Sequence, residues 1–308
     1  MPLFLDLPLL TGNEDPVAPH LALTAKPWPG TVAVYDSTTD DNYGLNSTLS
    51  QRAVIGATQS PLAAAPAGLI DRGDALQVKL ISGALESISH DGLLAGGNLA
   101  MIGDGSSGNW EVFQFEQAEL IAPDTWWLSR RLRGQLGSDA LMPPIWPTGS
   151  YVVLFGEEVT QITLASTLRN VARHYRIGPA QRGYDDPSYE HRIEAFSGNG
   201  LRPYSPCHLR ASTDAAGALA INWVRRTRID GDSWDLFEVP LGEDTESYHL
   251  RVVQGGAVLR ETTVGEPAWV YGASEQVADG ISGAFDIEVA QVSARYGPGL
   301  YATLTVEG

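Results

Sequence analysis

The sequence contains a single cysteine, Cys207, which excludes an intrachain disulfide and a cysteine-based metal centre. In "SPCHLRA" it alternates with Leu209 and Ala211, the setting of a small core residue rather than a reactive thiol. Basic charge is scarce as well: 20 Lys and Arg stand against 37 Asp and Glu, giving a formal charge of -17. Binding to nucleic acid relies on Lys and Arg displacing counterions from phosphates. The balance therefore excludes a nucleic-acid partner, and the "RRTR" cluster, Arg225 to Arg228, reads as a solvated strand end. No apolar run reaches the ~18 residues that a membrane-spanning helix needs. "MPLFLDLPLL" is apolar, but it lacks a basic leader and carries Asp6 and two prolines. It is not a signal peptide and reads as the middle of a longer polypeptide.

Catalytic signatures are also missing: no GxSxG, Walker or GxGxxG element occurs. The histidines are scattered. His174 and His191 form the nearest pair in the connecting region, and no third ligand stands at a recognisable spacing. No metal, cofactor or catalytic residue is expected, and the chain does not read as an enzyme.

What the chain has in quantity is punctuation, 33 Gly and 19 Pro, which cut the apolar residues into short runs typical of an all-β protein. Helical character is confined to two stretches, 157–178 and 273–281, the second with Ser274 as N-cap and Gly280 as stop. Residues 1–60 read as an extended N-terminal segment that continues an upstream domain. Residues 61–160 hold a series of short strands, such as "ALQVKLIS", "LAMIG", "WEVFQFEQAELI", "TWWLSRRLRG" and "SYVVLFG". Their regular spacing predicts a small barrel. Residues 161–204 read as a connecting segment with a short helix.

From 205 to 308 about seven strands alternate cleanly, with Leu219, Ile221 and Trp223 on one face and Phe285, Ile287 and Val289 on another. That count, with a tryptophan early, predicts an immunoglobulin-like sandwich. "IDGD" is the turn after the Trp223 strand, and "DLFEVPL" is the next strand. The early Trp223 and the late "FDIEVAQVSARYGPG" make this domain resemble fibronectin type III.

A wider resemblance spans the whole chain. "VAVYDSTTDDNYGLNSTL", "TWWLSRRLRGQLGSDA", "RGYDDPSYEHRIEAFSGNGLRPYSPCHLRA" and "WVRRTRIDGDSWDLFEVPLGE" resemble the C-terminal part of a large phage-tail protein family. That family occurs in alphaproteobacterial prophages and gene transfer agents; "LSRRLRGQLGSD" is also similar to a segment of baseplate-hub proteins. The resemblance implies a mainly β, multidomain chain: a small β-barrel-like tail domain followed by a fibronectin type III-like sandwich. It implies a structural virion component of the tail tip that helps assemble the baseplate and touches the recipient surface. The partners it implies are other tail and baseplate proteins, two further copies of this chain in a trimer, and a surface glycan. The location it implies is the tail of a particle assembled in the bacterial cytoplasm and released on lysis. The alternative is a carbohydrate-binding accessory module, which needs aromatic side chains in a line on one sheet face.

The residues offering surface, glycan or subunit contact are the acid–tyrosine groups Asp40, Asp41 and Tyr43 in "STTDDNY" and Asp185, Asp186 and Tyr189 in "GYDDPSY". Neighbours in a strand point to opposite faces, so neither adjacent acid pair is a hydrolase dyad. Trp126 and Trp127 join the set, because two adjacent tryptophans cannot both face the core of one sheet. "DRGD" and "GDGSSGN" read as turns, since the latter lacks the oxygen spacing of a calcium loop.

Overall fold

The structure, a computed structural model, describes residues 1–231 and 239–307. It is nearly all β, with α-helix only at His90–Leu94 and Ala273–Ala278 among the described residues. The chain divides into two compact units, Met1–Gly200 and Leu201–Gly308.

In the first unit six antiparallel strands close into a barrel. Their order is Trp110–Ala122, Leu99–Gly103, Tyr151–Leu154, Ile55–Thr58, Leu76–Leu80 and Thr125–Gln135, and the last pairs back onto the first. Closure leaves no open edge in the ring. Side chains alternate across its wall. Ala100, Ile102, Phe113, Phe115, Val78, Leu128 and Val152 form one cluster, drawn from strands around the ring, which is the filling of the barrel. The intervening Met101, Val112, Val153 and Ile55 instead join Leu3, Leu5 and Ala22 in a second cluster outside the wall. Gly56 tolerates no side chain, since a Cβ there would sit 2.6 Å from the Lys79 carbonyl oxygen.

The barrel also holds buried charge. The Arg133 guanidinium donates to both oxygens of Glu111, Nε to Oε1 at 2.6 Å and Nη2 to Oε2 at 2.8 Å. Trp146 Nε1 and the Gly134 N–H add two more donors to that carboxylate. Arg131 makes a two-nitrogen contact with Asp71 Oδ2, and Arg133 lies 3.7 Å from the same oxygen. Glu111 and Arg133 are fully buried. Burial of this kind is tolerable only when the charges are paired and their remaining hydrogen-bonding capacity is used, as it is here.

Against the outer wall lies a three-stranded sheet, Pro2–Leu5, His20–Leu23 and Thr160–Gln161. Leu3, Leu5 and Ala22 face the barrel, while Phe4, Leu21 and Leu23 face a third cluster with Val32, Val34, Tyr175 and Ile177. Both faces are buried, which explains why "LFL" and "LAL" in these strands carry no polar residue. Asp6 is buried after the first strand and accepts the backbone N–H groups of Ser197, Gly198 and Asn199 at 2.7 to 3.0 Å. The third layer is a four-stranded sheet in the order Glu190–Glu194, Arg173–Pro179, Val32–Ser37 and Gly44–Leu49.

This arrangement corrects the expected division into 1–60, 61–160 and 161–204. Residues 1–60 are not an extended lead-in: they supply five strands, including one stave of the barrel. The 161–204 segment is not merely a connection, because Arg173–Pro179 pairs in register with Val32–Ser37. The barrel is inserted between two flanking stretches that fold onto each other. The helix expected in 157–178 is only a 3-10 turn, Ser166–Leu168, before the Arg173–Pro179 strand. Its β-branched residues and the alternation of buried Tyr175 and Ile177 with His174 and Arg176 prevailed.

The second unit is a sandwich. One sheet runs Cys207–Thr213, Leu219–Val224, Ala268–Tyr271; the other runs Ala257–Val264, Tyr248–Gln254, Phe285–Ser293, with Ala302–Val306 on the far side of Phe285–Ser293. Apart from the two-residue Gly297–Pro298 pairing on Phe285–Ser293, the described residues give seven strands in three-plus-four packing, the arrangement of a fibronectin type III domain. Trp223 is buried edge-on to Tyr248 at 5.1 Å, with Leu219, Ile221, Ile287 and Val289 around it. Cys207 is half-buried rather than core. The helix Ala273–Ala278 forms as expected, but its N-cap is Gly272, whose N–H is accepted by Glu275 Oε2 at 3.0 Å. Gly280 follows at φ 72. Trp234, the end of "IDGD" and most of "DLFEVPL" lie outside the described residues.

Candidate functional site

The four-stranded sheet has one face against the third cluster and one facing out. Period two sets the division: Val32, Val34, Tyr175 and Ile177 point in. On the outer face Arg176 stands opposite His191 on one side and Tyr35 on the other. His174 stands opposite Ile193 and Ser37 in the next rung. Two loops fold over this face, one joining Val32–Ser37 to Gly44–Leu49 and one joining Arg173–Pro179 to Glu190–Glu194.

The first loop is tied by Ser37 Oγ, which donates to the Asp41 carbonyl at 2.5 Å, and by the Asn42 N–H, which donates to Asp41 Oδ1 at 2.8 Å. Asn42 takes φ 50, a conformation that asparagine adopts more readily than most residues. The turn brings Asp40 back over the sheet, where its Oδ1 accepts Tyr43 OH at 2.5 Å and Arg176 Nη2 at 2.9 Å. The second loop is built on Asp186, whose Oδ1 accepts the Ser188 N–H, the Ser188 hydroxyl and Arg182 Nη1. Tyr189 closes it, donating to the carbonyls of Pro179 and Arg182 at 3.0 and 3.1 Å. Its ring lies where Gly178 has no side chain; a Cβ there would be 2.5 Å from the ring.

Tyrosines join the loops. Tyr184 packs on Tyr35 at 5.4 Å and on Tyr43 at 5.3 Å, and Tyr189 lies 6.1 Å from Tyr35, all in tilted geometry. The Arg176 guanidinium carbon lies 5.1 Å from the Tyr43 ring centroid, within cation–π range. Beside this group the His174 and His191 rings are parallel, with Nδ1 of the former 3.0 Å from Nε2 of the latter. One ring donates and the other accepts. His191 Nε2 is 3.9 Å from Asp40 Oδ1, and a ligand atom from each of Asp40, His174 and His191 fits within 4.8 Å of the others.

The electrostatics follow these contacts. Tyr43 and then Arg176 hold the Asp40 carboxyl down at about 2. The Ser188 hydroxyl and N–H, helped by Arg182, hold Asp186 at about 2. Tyr43 is pushed up by burial and by its bond to Asp40, and Arg176 is held protonated by Tyr43 and Asp40. Carboxyls fixed this low are anions near neutral pH and poorly suited to give a proton to a leaving group.

The structure thus assembles Asp40, Tyr43 and Tyr189 on one face with Tyr35, Tyr184, Arg176 and the two histidines. Asp41 and Asp186 hold the loops in shape, and Asp185 is exposed. Trp126 and Trp127 are elsewhere, on the barrel strand Thr125–Gln135. Trp126 packs on the barrel filling while Trp127 remains 44% exposed, so the adjacent pair splits as strand geometry requires. The spacing of the histidines offered them no companion in the sequence; in the structure Asp40, from the other side of the inserted barrel along the chain, lies beside them. His174 and Arg176 carry a signal in the sequence, polar residues alternating with buried apolar ones in "RHYRIG", whereas His191 stands in "EHRIE", which has no buried position. Tyr35 and Tyr184 carry none apart from their neighbours.

Residues 53–153 match the family described as "Rcc01698-like, C-terminal", and that span contains almost the whole of the closed barrel, from Ile55 to Val153. No curated protein matches the chain. Among solved structures, the rat CD45 extracellular region, domains d3-d4, is 10% identical with a TM-score of 0.27, covering 50% of this chain and 72% of that one. The chicken CNTN1 FN1-FN3 domains are 8% identical with a TM-score of 0.25, covering 94% of each chain. The chain is a multidomain β protein that resembles the "Rcc01698-like, C-terminal" family over its barrel.

Proposed function

We propose that this chain is a structural component of the tail tip or baseplate of a phage-like particle, a prophage or gene transfer agent, and that it contributes to baseplate assembly and to contact with the recipient surface. The observation that carries the reading is the barrel. Its interior is filled by aliphatic and aromatic side chains and a paired ionic network, leaving its work to its surfaces. It coincides with the family match, and the tail-protein resemblance of the sequence extends across it. A second β unit of fibronectin type III topology suits a chain whose role is contact.

In this reading the chain is not an enzyme and uses no cofactor. Its partners are other tail proteins and copies of itself around the tail axis, three in number, and it reaches the medium in particles assembled in the bacterial cytoplasm and released on lysis. The net charge of -17 keeps such a component soluble before docking. The outer-sheet tyrosines pack on one another instead of forming an open line, so the carbohydrate-module alternative has less support. Deleting the segment encoding 1–308 in a strain that carries it tests the proposal. Particles with incomplete tail tips, or with tips that no longer adsorb, are expected; normal particles and normal transfer would overturn it.

A further inference from the structure

We propose that Asp40, His174 and His191 form a binding site for a divalent transition-metal ion of the zinc class, clamping the 38–43 loop to the outer face of the four-stranded sheet. Three segments distant in sequence deliver the donors: a loop after Val32–Ser37, the start of Arg173–Pro179 and the start of Glu190–Glu194. Strand register makes the histidines diagonal neighbours on one face, since His174 stands opposite Ile193 and Arg176 opposite His191. Their nitrogens are already 3.0 Å apart. A tetrahedral ion with bonds of about 2.0–2.1 Å to nitrogen separates its ligand atoms by about 3.4 Å. The imidazole pair therefore needs to open by only a few tenths of an ångström. Asp40 Oδ1, now 3.9 Å from His191 Nε2, needs to close by a similar amount.

The donor set decides the class of ion. Two imidazole nitrogens and one carboxylate suit zinc and its first-row neighbours, whereas calcium and magnesium take oxygen ligands. Tyr43 and Arg176 hold the Asp40 carboxylate in place through Oδ1, as outer contacts commonly orient a metal-binding carboxylate. The Arg176 charge opposes a cation, so the site is a moderate binder rather than a folding centre. The half-buried His174 and the exposed His191 and Asp40 leave a fourth position open to solvent or to a donor from a neighbouring molecule. This inference does not depend on the tail-tip reading, because it concerns the chain alone.

The test is calorimetric titration of the full chain with Zn2+, paired with the visible spectrum of the Co2+ form. The expected result is one ion per chain, tetrahedral Co2+ absorption, and a loss of affinity of at least roughly tenfold in His174→Ala, His191→Ala and Asp40→Asn. His90→Ala and His249→Ala, outside the cluster, should bind as the parent does. Imidazole nitrogen resonances of the unmodified protein give a second readout independent of any variant: Zn2+ should shift those of His174 and His191 before those of other histidines. Absence of binding at millimolar Zn2+, affinity unchanged by the two histidine substitutions, or first shifts at other histidines would overturn the proposal.

Discussion

Glu111–Arg133 in the barrel and Asp40–Arg176 on the outer sheet are the same chemical pair, a carboxylate against a guanidinium, in opposite surroundings. The barrel pair is fully buried, and every contact it makes is internal: Trp146 Nε1, the Gly134 N–H and the Ala63 carbonyl complete it. The outer pair is 48% exposed at Asp40 and 25% at Arg176. Next to it lie the exposed His191, the half-buried His174 and the half-buried Tyr35, Tyr184 and Tyr189, which could engage another molecule. A closed ionic network specifies a structure, and an open one offers donors and acceptors to partners. The difference teaches that the charged residues worth testing for function are those whose hydrogen bonding is incomplete in the isolated chain.

Substitutions should separate the two regions. The largest effect is expected from Glu111→Gln, which strands Arg133 in the barrel. The first unit should lose about 3–5 kcal/mol, read by denaturant unfolding, while the sandwich transition stays in place. Replacing Glu111 and Arg133 together with Leu and Met should recover much of that loss, showing that the uncompensated charge carries the cost rather than the missing bond. If the single substitution is harmless, the two regions do not differ as described.

Next in size is a pH effect at another buried group. Burial drives the His20 imidazole down to about 4, against a weaker upward pull from Glu14. The unfolded chain binds a proton at His20 near 6.5 and the folded chain only near 4, so between those values the unfolded state holds more protons and stability rises with pH. Acidification from 6.5 to 4 should cost the first unit roughly 3 kcal/mol, and His20→Phe should flatten that part of the pH–stability curve. Smaller still is Gly178→Ala, whose methyl group collides with the Tyr189 ring. A loss of about 1–3 kcal/mol should accompany altered aromatic proton shifts of Tyr189. Smallest is Asp40→Asn: the unfolding midpoint should stay in place because the pair is exposed, whereas zinc affinity should fall.

Much of this fold was legible in the sequence because alternation in short strands is a local signal. Leu219, Ile221 and Trp223 announced the sandwich core, and "ALQVKLIS" announced a barrel stave. The Trp126–Trp127 split followed from strand geometry alone. Pairing between distant segments was not legible. Nothing local in "VAVYDS" says that its partner is "RHYRIGP", 136 residues away at the Arg176–Asp40 contact, on the other side of an inserted barrel. That pairing creates the outer face, so the acid–tyrosine loops could be singled out but not placed together, and the histidines could not be given their carboxylate. Buried charge was hidden for a similar reason: Arg131 and Arg133 in "LSRRLRG" look solvated until Asp71 and Glu111 are brought against them.

The central claim, that these β units serve as contact-making parts of a tail tip, is tested most directly by electron cryo-microscopy of particles that carry the chain. The account predicts density for the closed barrel and the sandwich at the cell-proximal end of the tail, in copies related by threefold symmetry and bounded by other tail proteins. Particles whose complete tail-tip density has no place for this chain, with the chain recovered free and unassembled, would contradict it.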